Sequence, residues 1–159
     1  MKRAMQVSVG SVLRWLAPAA SPQEGEDPAA LKIAAGFASF AGSEENILAL
    51  VSALREGIAV RLVSAIALDS AGAPKTVLIE PGTGPMSWND VRMALMLARD
   101  ALRRYGISRP TLDQLRAVLV GGEATMPNGR VAAFRGVLRM RADGLNWGAI
   151  AAERYRRAG

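Results

Sequence analysis

The feature that most constrains the fold of this chain is an internal repeat. The pattern Leu-x-x-x-Leu-x-x-Gly at residues 50–57 returns at residues 115–122, and in both places strand-like residues follow the glycine. Further on, Trp88 and Trp147 occupy the same position in two similar segments, each with an aliphatic residue three positions later. Two copies of one unit indicate a single domain built by pseudo-symmetric packing.

The repeat predicts an α+β fold, a helix-rich single domain over residues 29–159 with two helix–β-hairpin–helix pseudo-repeats at 43–105 and 111–157. A chain of 159 residues has the usual length of one domain and can bury a core. Half of the residues are apolar but only 5% are aromatic, so the few large rings are expected to anchor that core. The predicted structural anchors are Phe37, Phe40, Trp88 and Trp147.

Capping residues and glycines mark where the helices begin and end. The predicted helices cover residues 27–42, 43–57, 87–106, 111–122 and 136–144, with a last helix from Trp147. The helix at 87–106 is apolar nearly all round in its first half, which predicts a central, buried position. Alternating apolar residues and turn sequences predict two hairpins, with strands at 58–63, 76–79, 123–126 and 130–134.

Residues 1–20 are open to two interpretations. Apolar residues at spacings of three and four predict an amphipathic helix docked on the body of the protein or on a partner. Its apolar face consists of Val9, Val12, Leu13 and Leu16. The basic start and the Ala-Pro-Ala-Ala at residues 17–20 instead imitate a degenerate signal peptide with its cleavage site. Residues 21–28 form an acidic linker rich in helix-breaking residues.

Charge is distributed unevenly along the chain. The net charge is +6; residues 1–98 hold 8 basic and 9 acidic side chains, whereas residues 99–159 hold 12 basic and 5 acidic ones. All 12 basic residues of the second part are arginine. Arginine pairs with phosphates in a bidentate manner, so one interpretation is a surface for a polyanion. The other is that an Ala-, Gly- and Arg-rich composition reflects a GC-rich genome.

The residue inventory excludes several classes of function. There is no cysteine and no histidine, which excludes disulfides, thiolate nucleophiles, Cys/His zinc sites and every triad with an imidazole base. No two carboxylates are placed by the sequence as a catalytic pair. We therefore predict no catalytic residue, no metal site and no cofactor. No apolar run approaches the ~20 residues that a membrane-spanning helix needs, so no integral membrane association is predicted.

The C-terminal part is similar to the start of a helix-turn-helix unit. Residues 144–151 contain a glycine, five residues and then Ile-Ala, a spacing typical of such units, and a basic segment follows. The candidate nucleic-acid-binding residues are Arg139, Arg141, Arg154, Arg156 and Arg157. The alternative is a terminal helix pair of an α+β core, because no recognition helix follows in the sequence before Gly159.

The Pro-Gly-Thr-Gly-Pro segment at residues 81–85 precedes a predicted helix. Helix N-termini bind anions, which suggests a phosphate loop. However, the segment has neither the third glycine of a dinucleotide fingerprint nor a Gly-Lys-Ser/Thr, and its prolines remove amide donors. A rigid connector is the favoured interpretation.

Three segments carry a resemblance to known sequences. They are Phe-x-x-Phe-Ala-Gly-Ser-x-x-Asn at 37–46, Gly-Pro-Met-Ser-Trp at 84–88 and the run at 144–151. Over about residues 33–152 the chain resembles a group of small uncharacterised proteobacterial proteins with a repeated Met-Gly-Trp-Gly-like segment. The resemblance implies no activity, cofactor or catalytic residue. Some members are exported, so it also implies the signal-peptide interpretation of residues 1–20.

Taken together, these patterns predict a non-enzymatic protein-interaction module whose partner is another protein or a second copy of the chain. The alternative is a nucleic-acid-binding protein that uses its Arg-rich, helix-turn-helix-like half, residues 99–159. The predicted location is the cytoplasm, or an exported location if residues 1–20 are a signal peptide.

Overall fold

The computed structural model describes residues 27–156, with side chains described as far as Glu153. The predictions for residues 1–26 and Arg157 lie outside this range. Within it the chain forms six helices and two antiparallel hairpins, which confirms the α+β prediction. The elements in chain order are α1 Pro28–Gly36, α2 Glu44–Glu56, β1 Val60–Leu68, β2 Pro74–Ile79, α3 Trp88–Arg103, α4 Leu112–Val120, β3 Gly122–Thr125, β4 Val131–Phe134, α5 Val137–Ala142 and α6 Trp147–Arg156.

The first four helices begin where side chains satisfy the free N–H groups of the first turn. Asp27, Ser43 and Ser87 each accept a hydrogen bond from a backbone N–H at the start of α1, α2 and α3. At α4 both hydrogen bonds of a capping box join Thr111 and Gln114. These four capping positions agree with the sequence prediction.

The first helix ends earlier than predicted. It was expected to reach Gly42, but α1 stops at Gly36 and residues 37–40 form tight turns. The Arg99 guanidinium donates to the Gly36 carbonyl at 3.2 Å and lies 4.4 Å from the centre of the Phe37 ring, so it satisfies the end of α1 from another helix. Phe37 and Phe40 are nevertheless buried.

The core is organised around α3, which contacts α1, α2, α4, α5 and α6. Its inward residues are fully buried, and so are the two leucines of each copy of the repeated pattern, at positions 50, 54, 115 and 119. This confirms the central position predicted from the all-round apolar character of the helix. The core therefore contains equivalent residues from both halves of the chain.

The first hairpin pairs Val60 with Ile79 and Leu62 with Val77. Leu62, Val77 and Ile79 point into the core and are buried. Ile58 was predicted to belong to this alternation, but it lies before β1 and is 52% exposed. Its N–H closes the end of α2 by donating to the Ala53 carbonyl at 3.0 Å, so it belongs to the helix cap and not to the strand.

The two predicted repeats share an element order with one difference. Each has a helix, a hairpin and a later helix that begins at a tryptophan, but α5 is inserted between the second hairpin and Trp147. The second copy of the leucine pattern also ends one residue early, because Gly121 and not Gly122 caps α4. Superposition of residues 43–105 on 111–157 stays a prediction.

Candidate protein-interaction surface

Asn46 closes one edge of the first hairpin. Its side chain is buried at the start of α2. Asn46 Nδ2 donates to the Val63 carbonyl at 2.8 Å, and Oδ1 accepts from the Val63 N–H at 3.1 Å. Nδ2 also donates to the Ala41 carbonyl at 2.9 Å. The side chain thus uses both backbone groups of Val63 as a neighbouring strand would use them.

The outer edge of β2 remains open. Because the Val63 N–H is taken by Asn46, Val63 and Thr76 form a pair without ladder hydrogen bonds. Bonded and non-bonded pairs alternate in an antiparallel ladder, so the Arg61–Leu78 pair is also non-bonded. Thr76 and Leu78 therefore direct their N–H and C=O groups away from β1. In the described part of the chain these groups have no backbone hydrogen-bond partner, which leaves an unpaired strand edge.

Several large apolar residues of the same hairpin are exposed to solvent. Ile66 is 95% exposed and Leu68 is 65% exposed, and Val63 and Leu78 are exposed as well. Single exposed apolar residues are common on proteins, whereas a group of them on one element is typical of an interaction site. Val63, Ile66, Leu68, Thr76 and Leu78 together form what we term the hairpin surface.

Side-chain hydrogen bonds hold the tip of the hairpin in shape. The β1–β2 register shifts after Val63, and there Ser64 Oγ accepts from the N–H groups two and three residues later, at 3.3 and 2.9 Å. Asp69 Oδ1 accepts from the N–H groups two and four residues later, at 2.9 and 3.0 Å. Ile66 is thus exposed by a braced bulge that re-aims its side chain.

A basic groove borders the open edge of β2. It has a volume of about 400 Å³ and lies between the end of β2 and the helices α4 and α5. Leu78, Glu80 and Gly82 line one side, and Arg116 and Arg139 line the other. Both arginines are exposed, and neither has an ion-pair partner within the described residues. The groove therefore offers two guanidinium groups beside unpaired backbone groups.

Two further hollows are less suited to recognition. One, of about 380 Å³, lies between residues 64–67 of the hairpin and the start of α4, where Lys75 and Asp113 form an ion pair. The other, of about 460 Å³, lies among α3, α4, α5 and α6 and has an apolar floor. At its mouth Arg135 is 3.7 Å from Asp143, and Arg104 and Glu153 also have partners. The charged groups of both hollows are thus already engaged.

The predicted nucleic-acid-binding residues do not form one surface among the described side chains. Arg139 is exposed and lines the basic groove. Arg141 is partly buried; it donates to the Leu145 carbonyl at 3.1 Å and lies 4.9 Å from the centre of the Trp147 ring. Those contacts give it a structural role between α5 and α6. Arg154 and Arg156 lie in α6 with side chains outside the described set, and Arg157 lies beyond it.

The two tryptophans have similar environments. Each is the first residue of a helix, is partly buried against the core, and lies 4.9 Å from a guanidinium: Arg55 for Trp88 and Arg141 for Trp147. Trp147 Nε1 additionally donates to Asp90 Oδ1 at 2.7 Å, which joins the starts of α6 and α3. Both rings thus pack against the core, and their anchor role stays a prediction.

Replacing Trp147 with phenylalanine is expected to lower the free energy of unfolding by about 1–2 kcal/mol, since a hydrogen bond to a charged group is lost while ring packing is largely kept. Trp88→Phe is the matched control, because it removes an indole from the same helix position without this bond. Urea unfolding followed by circular dichroism measures both. Equal losses would show that the Asp90 contact contributes nothing.

The segment at 81–85 is packed as a connector. The Met86 N–H donates to the Arg55 carbonyl at 3.1 Å, and the Arg55 guanidinium donates to the Met86 carbonyl at 2.8 Å. The backbone of Gly84 lies directly against Gly57 at the end of α2. These contacts fasten the segment between α2 and α3.

Comparisons of the chain with protein-family models, with curated proteins and with solved structures find no match. The resemblance to the proteobacterial group therefore stays a prediction. Between residues 27 and 156, no cluster of three or more acidic side chains is placed to hold a metal ion. No helix in the same range is long and apolar enough to cross a bilayer.

Proposed function

We propose that the protein is a non-enzymatic protein-interaction module and that the hairpin surface binds its protein partner. The single observation that supports this most is the 95% exposure of Ile66 on a hairpin braced by Ser64 and Asp69. Burying this water-exposed isoleucine against a partner would stabilise the complex, and it would disrupt no packing that the free protein already has. Because the hairpin is already shaped, little ordering cost opposes binding.

The second hairpin supplies an internal comparison. Val131 is 62% exposed on β4, but it belongs to a hairpin of two four-residue strands. No other side chain of that hairpin is an exposed large apolar residue. A protein that binds through the first hairpin should therefore tolerate a charge at position 131.

Ile66→Asp is expected to abolish binding of the protein partner, because a charge at the centre of an apolar contact must be desolvated without a counter-charge. Val131→Asp is the matched control and should bind normally. The partner is first identified by mass spectrometry after cross-linking from a photoreactive residue at position 66, with position 131 as the reference. Binding of the purified partner to both variants is then measured by calorimetry, and self-association by sedimentation. Unchanged affinity in Ile66→Asp would contradict the proposal.

Nucleic-acid binding is the second candidate, and the guanidinium groups of Arg116 and Arg139, which lack an ion-pair partner among the described residues, favour it. An electrophoretic shift with generic duplex DNA at two salt concentrations tests it. A binder that neutralises phosphates should shift the duplex at low salt and weaken steeply as salt rises, through counterion release. The absence of a shift at low salt would eliminate this candidate.

The cytoplasm is the proposed site of action. The N-terminal sequence of the protein isolated from its native cells tests this location. A start near Ala20 or Ser21 would identify residues 1–20 as a cleaved signal peptide and place the protein outside the cytoplasm.

A further inference from the structure

We infer that the partner segment is an extended acidic peptide that adds as a third strand to the outer edge of β2. This inference rests on the proposed function and specifies how the hairpin surface is used. Strand addition needs an exposed edge whose N–H and C=O groups face outward, together with side-chain pockets that select the peptide. The first hairpin has both on one side only.

The edge of β1 is unsuitable for strand addition. Asn46 occupies the outward N–H and C=O of Val63 with bonds of 3.1 and 2.8 Å. Beyond that residue, Ser64 Oγ takes the N–H groups of Ile66 and Ala67. A peptide that pairs with β1 would have to break these internal bonds. The buried Asn46 amide would then be left without hydrogen-bond partners, which is unfavourable.

The edge of β2 has the opposite properties. The outward backbone groups of Thr76 and Leu78 lack backbone partners in the described structure, and both side chains are exposed. These two residues supply two donors and two acceptors with the two-residue spacing of a strand. An added strand would satisfy them and cover Leu78 at the same time.

The charges beside this edge select an acidic peptide. Arg116 and Arg139 line the groove that Leu78 also lines, and Arg61 is the cross-strand neighbour of Leu78 on the outward side. Glu80 is the opposing charge in the groove, so two guanidinium groups of the groove lining face one carboxylate. Alternate side chains of an added strand point to opposite faces, so glutamates at every second position would meet Arg116 and Arg139 along one face.

The probe for this inference is a fluorescein-labelled eight-residue peptide of alternating valine and glutamate, titrated into the full chain. Its counterpart has lysine in place of glutamate. The glutamate peptide is expected to bind, and the lysine peptide to bind at least about tenfold more weakly, because like charges across an interface are strongly disfavoured. In nuclear magnetic resonance spectra the amides of Thr76 and Leu78 should become protected from hydrogen exchange.

Variants separate the backbone and charge contributions. Arg139→Glu should weaken binding of the glutamate peptide by about tenfold, whereas Arg130→Glu, the same charge change on an exposed turn away from the groove, should not. Thr76→Pro removes an outward N–H that no ladder bond uses, which an edge strand tolerates, and it should abolish binding. Methylating alternate amide nitrogens of the peptide makes the same test without altering the protein.

Each alternative outcome counts against the inference. Binding of the glutamate peptide without protection at Thr76 and Leu78, equal binding of the lysine peptide, or no binding at all would overturn strand addition at β2. If that happens while Ile66→Asp still abolishes binding of the natural partner, the proposed function stands and only the mode of binding is wrong.

Discussion

Gly57→Ala is expected to destabilise the protein by about 2–5 kcal/mol, combining about 1–2 kcal/mol for a left-handed alanine with about 1–3 kcal/mol for overpacking. Gly57 has φ +72° at the end of α2. A Cβ there would lie 2.2 Å from the carbonyl carbon of Gly84 and 2.5 Å from the nitrogen of Pro85. All of these are backbone atoms, so no side chain can rotate away and the connector between β2 and α3 must move.

Gly72→Ala is the matched control. Gly72 has φ +81°, close to that of Gly57, but a Cβ at this position meets open space at the hairpin tip. Only the backbone penalty of about 1–2 kcal/mol should remain. Urea unfolding of both variants measures the difference, and equal losses would show that the close approach of Gly57 to Gly84 carries no energy.

Asn46→Ala is expected to cost about 3–5 kcal/mol, because three buried or partly buried bonds to Ala41 and Val63 are lost and each group left unsatisfied costs about 1–3 kcal/mol before water re-enters. Gln114→Ala is the comparison: Gln114 is also a buried amide in a first helical turn, but its side-chain N–H donates to a strand only once, to the Thr125 carbonyl at 2.8 Å. Chemical denaturation should rank Asn46→Ala as the more damaging. The reverse order would show that the Asn46 hydrogen bonds contribute less to stability than those of Gln114.

The same substitution has a consequence for binding. Without the Asn46 amide, the outward groups of Val63 become available, and the hairpin then has two open edges. If the Asn46→Ala variant remains folded at low temperature, it should therefore bind the valine–glutamate peptide at a second, weaker site as well. A single site in calorimetry would show that the β1 edge is closed by other means.

Much of the fold could be predicted because it depends on neighbouring residues. The caps at Ser87 and Thr111, the glycine ends of α2 and α3, and the turn at 127–129 are formed by groups within a few positions of one another. The apolar periodicity of α3 likewise reports its burial directly. Such features are encoded locally, so a single sequence displays them.

The hairpin surface could not be predicted, because it depends on a bulge and on long-range contacts. A bulge changes which face each later side chain of the strand occupies, so the alternation seen at the start of β1 did not predict where Ile66 points. Asn46 and Val63 are 17 positions apart, and Trp147 and Asp90 are 57 apart. No sequence motif marks these pairs, nor the convergence of Arg116 and Arg139 on one groove.

The most direct test of the central claim is hydrogen–deuterium exchange of the free protein and of the protein mixed with its purified partner, after cross-linking from position 66 has identified that partner. Binding through the hairpin surface predicts slower exchange across residues 60–79, with the largest change at Thr76 and Leu78, and unchanged exchange across residues 122–134. Protection confined to the second hairpin or to α5 and α6, with residues 60–79 unaffected, would contradict it.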